Sequence, residues 1–375
     1  MNTQPVTHTQ NAAEVLTEVH GHVGLITLNR PKALNALSLP MIRGLTKCLL
    51  DWREAPAVHA VAVRGTGKSG PFGAVCAGGD IRFFHQAALA SDDALEQFFT
   101  EEYALNHLVH CYPKPYIAFM DGIVMGGGMG ISQGAKIRIV TERTRMAMPE
   151  TNIGLFPDVG GGYFLSRCPG HSGEWLALTG ETVGSSQALE LGLADTRFES
   201  ARLASAWAAL GSANFDREGA VDQWLTLFSN APADVPNGHL EQIDHHFSKH
   251  SVSAIVHSLE ADQSVWAQHT AHTLRRRSPL MLHVALAQIR RARQMTLAED
   301  LRMERDMIHH SFHPGHMKLS DAQSEAVEGI RALAVDKDNT PRWNPSRIEQ
   351  VDETMVTPFF TSPWTPLTHP LRDLD

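Results

Sequence analysis

The sequence predicts an α/β fold, in which β-β-α units repeat over the first half of the chain and helices dominate the second half. Short β-rich runs alternate with helical stretches up to about residue 200, and a helical apolar period prevails after it. The hydrophobic content of 43% is sufficient for a sizeable core. Because 375 residues are many for one compact domain, we expect one large unit with an appended region.

Four runs in the first half have the composition of buried strands. In "VGLITLNR" both alternating sets of side chains are nearly free of charge, as expected for a strand that is covered on both faces. The four runs are residues 23–30, 60–65, 115–122 and 136–142.

The helices that follow these strands are amphipathic. Residues 39–54 place apolar side chains at i, i+4, i+7, i+8 and i+11, which is typical of a helix lying on a sheet. After residue 200 the segments "ARLASAWAALG", "VDQWLTLF", "SPLMLHVALAQIRRARQ" and "LAEDLRMERDMIHH" keep the 3.6-residue period. Residues 230–239 form a polar loop. We therefore divide the chain into an extended or disordered N-terminus (1–15), a core (16–200) and a helical region (201–375).

The overall charge and the cysteine content limit the binding partners and the cellular compartment that we expect. A net charge of −9 gives no sign of a surface for nucleic acid or an anionic membrane. No apolar stretch approaches the length of a membrane-spanning helix. The four cysteines are widely spaced without CxxC pairs, as in proteins of a reducing compartment. Since the N-terminal residues resemble no targeting signal, we expect a cytoplasmic protein.

Two glycine-rich stretches stand at predicted junctions between a strand and a helix. They are "CAGGDIRFF" (76–84) and "IVMGGGMGISQGA" (123–135), and the second should begin a helix at Gly127 or Gly128. The first N–H groups of a helix have no intrahelical partner, so they can bind an anion or a developing oxyanion. A plain tight turn is the structural alternative.

These stretches resemble the crotonase superfamily of enoyl-CoA hydratases and isomerases. "GHVGLITLNRPKALNALS", "FGAVCAGGDI", "IVMGGGMG" and "MAMPETNIGLFPDVGGG" are similar to its motifs in order and spacing. The resemblance implies a crotonase-like spiral of β-β-α turns that binds an acyl-CoA without another cofactor. It also implies that the amides of Ala77 and Gly127 hold the thioester oxygen. Contacts to coenzyme A are implied for Ala77, Gly78, Gly79, Asp80, Lys32 and Leu34.

The acidic residues separate the reactions of this superfamily. Its hydratases use two glutamates, and the position of the first is occupied here by Gly130, while the second matches Glu150. Losing one acid or base typically costs ~10²-fold to 10⁴-fold in rate. Glu102 and Asp158 are further acids that could converge with Glu150.

This set of acids resembles the 3-hydroxyisobutyryl-CoA hydrolase branch of the superfamily. The segments "EEY", "PE" and "GLFPDVGGGYFL" are similar to that branch, as is "VEGIRALAVDKDNTPRWNP" at 327–345. The resemblance implies hydrolysis of a short β-hydroxyacyl-CoA in valine breakdown. Glu150 would attack the carbonyl or activate water, Asp158 would orient the 3-hydroxyl or assist proton transfer, and Glu102 would support them.

Each acid also has a purely structural interpretation. Glu150 could cap a turn, Asp158 could cap the helix that begins at "VGGGYF", and Glu102 could belong to a solvated helix face. The densest group of histidines comprises His309, His310, His313 and His316. Because no accompanying carboxylate pattern is present, we expect a surface cluster and no metal site there.

Three functions remain open at the level of sequence. A β-hydroxyacyl-CoA hydrolase is the leading hypothesis, and the absence of an acid at Gly130 disfavours an enoyl-CoA hydratase or isomerase. A catalytically silent acyl-CoA-binding or interaction module is the third, and the retained acids argue against it. The resemblance leaves a homo-oligomer open, as a dimer, trimer or hexamer.

Overall fold

The computed structural model describes residues 13–213, 215–217, 219–229 and 239–375. The N-terminus over residues 1–15 and the polar loop over residues 230–239 therefore fall almost entirely outside the described residues. None of the described helices combines the length and the apolar character that crossing a bilayer requires.

The strands belong to one mixed sheet that branches at its third strand. They are β1 Val15–His20, β2 Val23–Leu28, β3 Ala60–Gly67, β4 Gly70–Cys76, β5 Tyr116–Met120, β6 Ile123–Met125, β7 Ile137–Val140, β8 Arg145–Ala147 and β9 Thr196–Arg197. β3 pairs in parallel with β2 and β5, and its end pairs antiparallel with β4. From there β4, β6 and β8 pair in parallel as one branch, while β5, β7 and β9 continue the other.

Sixteen α-helices are described, and they flank and follow the strands. They are α1 Leu39–Glu54, α2 Ile81–Ala90, α3 Ala94–His110, α4 Gly127–Gln133, α5 Gly161–Leu165, α6 Ser172–Thr179, α7 Ser185–Glu190, α8 Leu203–Leu210, α9 Ala220–Phe228, α10 Leu240–Phe247, α11 Val252–Ala261, α12 Val265–Arg276, α13 Pro279–Ala292, α14 Leu297–Phe312, α15 Glu325–Ile330 and α16 Glu353–Val356.

The predicted α/β class and its β-β-α repeat are confirmed. Each of the pairs β1–β2, β3–β4 and β5–β6 is followed by a helix, and α1 covers the predicted residues 39–54. Ser38 begins α1 by accepting a hydrogen bond from the Met41 N–H, and Pro40 fits the first turn because that turn needs no N–H donor. All six side chains of β2 are buried, as the charge-free pattern predicted.

Helices from the second half pack on the same core as the first half. One cluster of buried side chains joins Leu45 of α1 and Val61 of β3 to Leu282 of α13 and Leu301 of α14. A smaller cluster with Trp207 covers the opposite face of the sheet. No described strand follows β9, so the change from strands to helices near residue 200 is confirmed. Whether the two halves are separate domains stays a prediction.

Candidate active site

Three buried carboxyl groups line one cavity of about 210 Å³. Glu102 lies on α3, Glu150 begins a 3-10 turn after β8, and Asp158 lies in the loop before α5. These elements are distant in sequence, yet the fold places them at the junctions where β4 and β6 pass into helices. The convergence expected for the three acids is thus present in the structure.

The structural interpretations of the three acids do not hold. Glu102 is only 2% exposed, so it is not part of a solvated helix face. The turn at Glu150 has no side-chain cap. The helix after Asp158 is capped by Gly160, and the Asp158 side chain instead accepts a hydrogen bond of 2.9 Å from the hydroxyl of Tyr103. Each acid is therefore directed at the cavity and not at a helix end.

Two free backbone amides lie beside these acids. Gly127 is the first residue of α4, as predicted, so helix geometry leaves its N–H without a partner. A Cβ atom built on Gly127 would lie 3.5 Å from the amide nitrogen of Gly79 and would clash with Glu102 Oε1. Within the described ranges, neither amide donates a hydrogen bond to a backbone or side-chain acceptor. The amides of Gly79 and Gly127 form a pair of donors next to a carboxyl group.

The prediction that Ala77 supplies one of these amides is wrong. The Ala77 N–H donates a hydrogen bond of 3.0 Å to the carbonyl of Leu34, so it is already used by the fold. Ala77 and Gly78 still line the cavity, but the Gly78 N–H faces Cys76 Sγ at 3.3 Å. The free donor lies two residues further along the same loop, at Gly79.

The other predicted substrate contacts lie outside the cavity lining. The Asp80 carboxylate caps α2 and pairs with Arg30 at 2.9 Å, which commits it to the fold. Lys32 is exposed on a short 3-10 turn, and Leu34 holds the loop at Ala77 through its carbonyl. The segment at 32–34 thus adjoins the cavity loop, and its contact with coenzyme A stays a prediction.

Burial raises the pKa of all three acids, and repulsion from Asp158 adds to the shift in two of them. Desolvation is the main cause for each, and the charge of Asp158 further raises the pKa of Glu102 and of Glu150 well above the usual range. Desolvation raises the pKa of Asp158 to about 6, although the hydrogen bond from Tyr103 opposes this shift. Raised pKa values favour the protonated forms, so this site can offer both a proton donor and a base.

Two of the carboxyl oxygens in the cavity have no protein partner. Glu102 Oε1 and Glu150 Oε2 are buried, and no group in the described part of the chain donates a hydrogen bond to them. Buried polar atoms are nearly always paired in folded proteins, so exceptions that face a cavity indicate a functional site. These two oxygens are free to act on a bound molecule.

Gly130 leaves no space for the missing first glutamate of the hydratases. A Cβ atom at this position would lie 2.7 Å from Val159 Cβ and 2.8 Å from Asn106 Nδ2. Both distances are shorter than real Cβ contacts, so any larger side chain would require a shift of the Asp158 loop. The side of the cavity that a residue at 130 would reach is occupied by the loop that carries Asp158.

Two predicted helices of the second half hold this loop in place through polar side chains that the sequence analysis did not single out. The Glu304 carboxylate of α14 accepts hydrogen bonds from the N–H groups of Gly160 and Gly162 at 2.7 and 2.9 Å. Gln288 of α13 donates to the Pro157 carbonyl at 2.6 Å and to Glu304 at 3.0 Å. Both side chains are fully buried, so α13 and α14 fix the position of Asp158.

The loop needs this support because part of it is strained. Val159 has φ of 57°, a left-handed conformation that costs a β-branched residue on the order of 1–3 kcal/mol. It stands directly between Asp158 and Gly160, whose N–H is held by Glu304.

The sequence analysis missed four residues that support the loop and its acid. They are Tyr103, Gln288, Glu304 and Asp300, which accepts a hydrogen bond from the Tyr163 N–H. Only the polar residues inside the apolar stripes of α13 and α14 could have indicated them.

We expect Glu304→Gln to weaken the fold. A glutamine would turn its NH₂ group toward one of the two backbone N–H donors, leaving that donor buried without an acceptor. The free energy of unfolding should fall by about 1–3 kcal/mol, measured by urea denaturation, and the amides of Gly160 and Gly162 should exchange hydrogen faster. The exposed Glu241→Gln serves as control. Unchanged stability and exchange in Glu304→Gln would argue against the clamp.

We expect Asp158→Asn to stabilise the protein at neutral and higher pH. Because the pKa of Asp158 is raised to about 6, the native state binds more protons than the unfolded chain between roughly pH 4 and 6. Wild-type stability therefore falls as the pH rises through this range, and the asparagine variant lacks that loss. The gain should reach roughly 1–3 kcal/mol at pH 8 and vanish near pH 4.

Urea denaturation at both pH values measures this difference. The exposed Asp222→Asn is the control and should show no such trend. An Asp158→Asn variant that is equally stabilised at both pH values would contradict the role of its ionisation.

Comparisons with known proteins agree with this geometry. Residues 23–360 match the enoyl-CoA hydratase/isomerase family. A curated relative, "3-hydroxyisobutyryl-CoA hydrolase, mitochondrial" of Xenopus tropicalis, is 40% identical over 95% of this chain and 90% of its own length. The protein of the same name from Homo sapiens is 37% identical over the same shares of the two chains.

Solved structures agree in fold. A carnitinyl-CoA dehydratase from Mycobacterium thermoresistibile superposes with a TM-score of 0.85 at 36% identity, covering 95% of this chain and 98% of that one. An enoyl-CoA hydratase from Rhodobacter sphaeroides gives 0.82 at 33% identity, covering 94% and 98%. The predicted crotonase-like architecture is thereby confirmed, and the chain belongs to the enoyl-CoA hydratase/isomerase family.

Proposed function

We propose that this protein hydrolyses a short β-hydroxyacyl-CoA thioester, with 3-hydroxyisobutyryl-CoA as substrate and 3-hydroxyisobutyrate and coenzyme A as products. The observation that carries the proposal is the meeting of three buried carboxyl groups with two free amides in one cavity. The names of the curated relatives, which are 37–40% identical over nearly the whole chain, support the same reaction.

The amides of Gly79 and Gly127 would bind the thioester oxygen. When the carbonyl carbon is attacked, negative charge develops on this oxygen, and each well-placed N–H donor is worth ~3 kcal/mol of barrier. Because α4 begins at Gly127, the positive end of the helix dipole faces the same point. Gly127 is buried, so solvent screens both interactions less than it would at the surface.

Glu150 would act on the carbonyl carbon. Its Oε2 atom is unpaired and its Oε1 atom lies near Gly126, beside the amide of Gly127. In the covalent route, the carboxylate forms a C–O bond, the C–S bond breaks, and coenzyme A leaves as a thiolate that takes up a proton. Water then hydrolyses the mixed anhydride to the hydroxy acid and restores Glu150. In the alternative route, Glu150 removes a proton from an attacking water.

Asp158 and Glu102 would recognise the 3-hydroxyl group and move protons. Asp158 is already polarised by the Tyr103 hydroxyl, so its second oxygen is available to accept from a substrate hydroxyl. Glu102 is the most deeply buried of the three acids, and burial together with the charge of Asp158 raises its pKa, which favours the protonated form that would donate. No step of this reaction requires a metal ion or a redox cofactor.

Hydration of an enoyl thioester is the second candidate, because the two solved structures are named as a dehydratase and a hydratase. Gly130 disfavours it, since Val159 and Asn106 fill the space in which the first glutamate of a hydratase would stand. A silent acyl-CoA-binding module is disfavoured by the cost of burying three carboxyl groups that binding alone does not need.

The biological setting remains part of the proposal. We assign the reaction to valine breakdown because of the short branched acyl group. The named relatives are mitochondrial proteins, so the cytoplasmic location expected from the sequence stays a prediction, tested by cell fractionation. Association into a dimer, trimer or hexamer, and the lack of contact with nucleic acid or membranes, also stay predictions.

We expect the protein to release free thiol from 3-hydroxyisobutyryl-CoA and to leave the enoyl absorbance of crotonyl-CoA unchanged. Glu150→Gln should lower kcat by about 10²-fold to 10⁴-fold because the amide is neither a base nor an effective nucleophile. Glu101→Gln is the matched control, since Glu101 pairs with Arg43 at the surface. Thiol release that survives in Glu150→Gln would refute the assignment.

We expect the rate of hydrolysis to fall in acid, because Glu150 must be ionised to act. Its pKa is raised by burial and then by the charge of Asp158, so the acid limb of log kcat against pH should lie above the usual range of a glutamate. In Asp158→Asn this charge is gone, and the limb should move to lower pH while the maximal rate falls. If the acid limb of Asp158→Asn lies at the same pH as that of the wild type, the charge of Asp158 does not act on Glu150.

A further inference from the structure

Two helices bring a carboxylate and two imidazoles together outside the lining of the catalytic cavity. Glu96 lies in the first turn of α3, and His309 and His313 lie one turn apart at the end of α14. One ligand atom from each, Glu96 Oε1, His309 Nδ1 and His313 Nε2, lies within 4.8 Å of the other two. All three side chains are half-buried, with one side open to solvent.

The distances between these atoms match the geometry of a zinc site. Zinc binds imidazole nitrogen and carboxylate oxygen at about 2.0–2.1 Å in a tetrahedron, so two ligand atoms of one ion stand about 3.3 Å apart. Glu96 Oε1 lies 3.3 Å from His313 Nε2 and 3.4 Å from His309 Nδ1. Two of the three edges between the ligand atoms therefore already have the length that the ion requires.

A fourth side chain contacts one of the two imidazoles. Asp321 Oδ2 lies 2.9 Å from His313 Nδ1, so the other ring nitrogen, Nε2, is the one that faces Glu96 Oε1 and would bind the ion. A carboxylate behind a metal-binding histidine is the usual outer partner in protein metal sites. The arrangement leaves His313 Nε2 ready to bind a cation.

The remaining partners leave the proposed ligand atoms free. Arg305 pairs with the other oxygen of Glu96, Oε2, so Oε1 keeps its lone pairs for the histidines. His309 Nδ1 is buried, and within the described residues its one polar neighbour in ion-pair range is Glu96 Oε1 at 3.4 Å, too loosely placed for a good hydrogen bond.

We infer that Glu96, His309 and His313 form a zinc site with two nitrogen ligands, one oxygen ligand and a fourth position open to water. The ion would tie the beginning of α3 to the end of α14. α3 carries Glu102 and Tyr103, and α14 carries Glu304, so the ion would brace the two helices that shape the catalytic cavity from outside it. Its role is structural, and it takes no part in the proposed hydrolysis.

The sequence prediction of a plain surface cluster rested on the absence of a carboxylate near residues 309–316. The carboxylate comes from a helix more than two hundred residues earlier, which no local pattern reveals. The other two histidines of the group take no part in the site. His310 Nε2 contacts the Thr361 carbonyl at 2.9 Å, and His316 packs on Phe359.

Titration of the full-length protein, stripped with EDTA, tests the inference. We expect calorimetry with ZnCl₂ to give one ion per chain and the melting temperature to rise on zinc addition. Co²⁺ should give the visible absorption bands of a low-symmetry four- or five-coordinate site. Replacing both ligands, as His309→Gln with His313→Gln, should abolish the stoichiometric binding, the thermal shift and the bands.

Matched control variants show whether a loss of zinc binding comes from the proposed ligands, from other histidines or from misfolding. His310→Gln, on the same turn of α14, should bind zinc like the wild type. Glu96→Gln, which keeps the shape of the side chain, should weaken zinc binding at least tenfold. The melting temperature of each variant in EDTA reports whether its fold is intact, and the single His313→Gln variant replaces the double one if the latter does not fold.

Two results would overturn the inference. One is the lack of saturable zinc binding by the wild-type protein, in which case the three side chains form only an ion-pair cluster. The other is one-to-one binding that persists in folded variants lacking His309 and His313, which would place the ion elsewhere.

Discussion

The shape of the catalytic cavity depends on one carboxylate that binds two backbone amides. Glu304 accepts hydrogen bonds from Gly160 and Gly162, residues about 140 positions earlier in the chain. Between Asp158 and these amides stands Val159 in a left-handed conformation, which would relax without external support. The second half of the chain therefore supplies the buried carboxyl group that keeps Asp158 aimed into the cavity.

Burying three carboxyl groups in the cavity destabilises the native state, and the same burial makes these groups reactive. Three carboxyl groups are buried together, and desolvation raises the pKa of each. A carboxylate with little hydration is a better base or nucleophile than one in water, and a neighbouring carboxyl that keeps its proton is a donor. The same repulsion that destabilises the native state thus gives one small site both chemical roles. Helices α13 and α14 offset this penalty by packing on the common core.

The sequence predicted most features that depend on neighbouring residues. The strand runs, the helix over residues 39–54 and the start of α4 at Gly127 follow from local apolar periods and from glycine at a junction. The choice between Ala77 and Gly79 could not be predicted, because it depends on the Leu34 carbonyl, which takes up the Ala77 N–H from another segment. Glu304 was equally hidden, since a polar residue within an amphipathic helix does not reveal its partner.

Gly130 explains how one fold separates two reactions. In this chain the loop of Asp158, held by Glu304, presses Val159 against the helix at a distance that excludes any side chain larger than glycine. An acid on α4 and this position of the loop therefore exclude one another sterically. In this chain the acids that share the cavity with Glu150 therefore come from α3 and from the loop, as Glu102 and Asp158, and not from α4. The constraint that shapes the loop is thus also the one that favours hydrolysis over hydration.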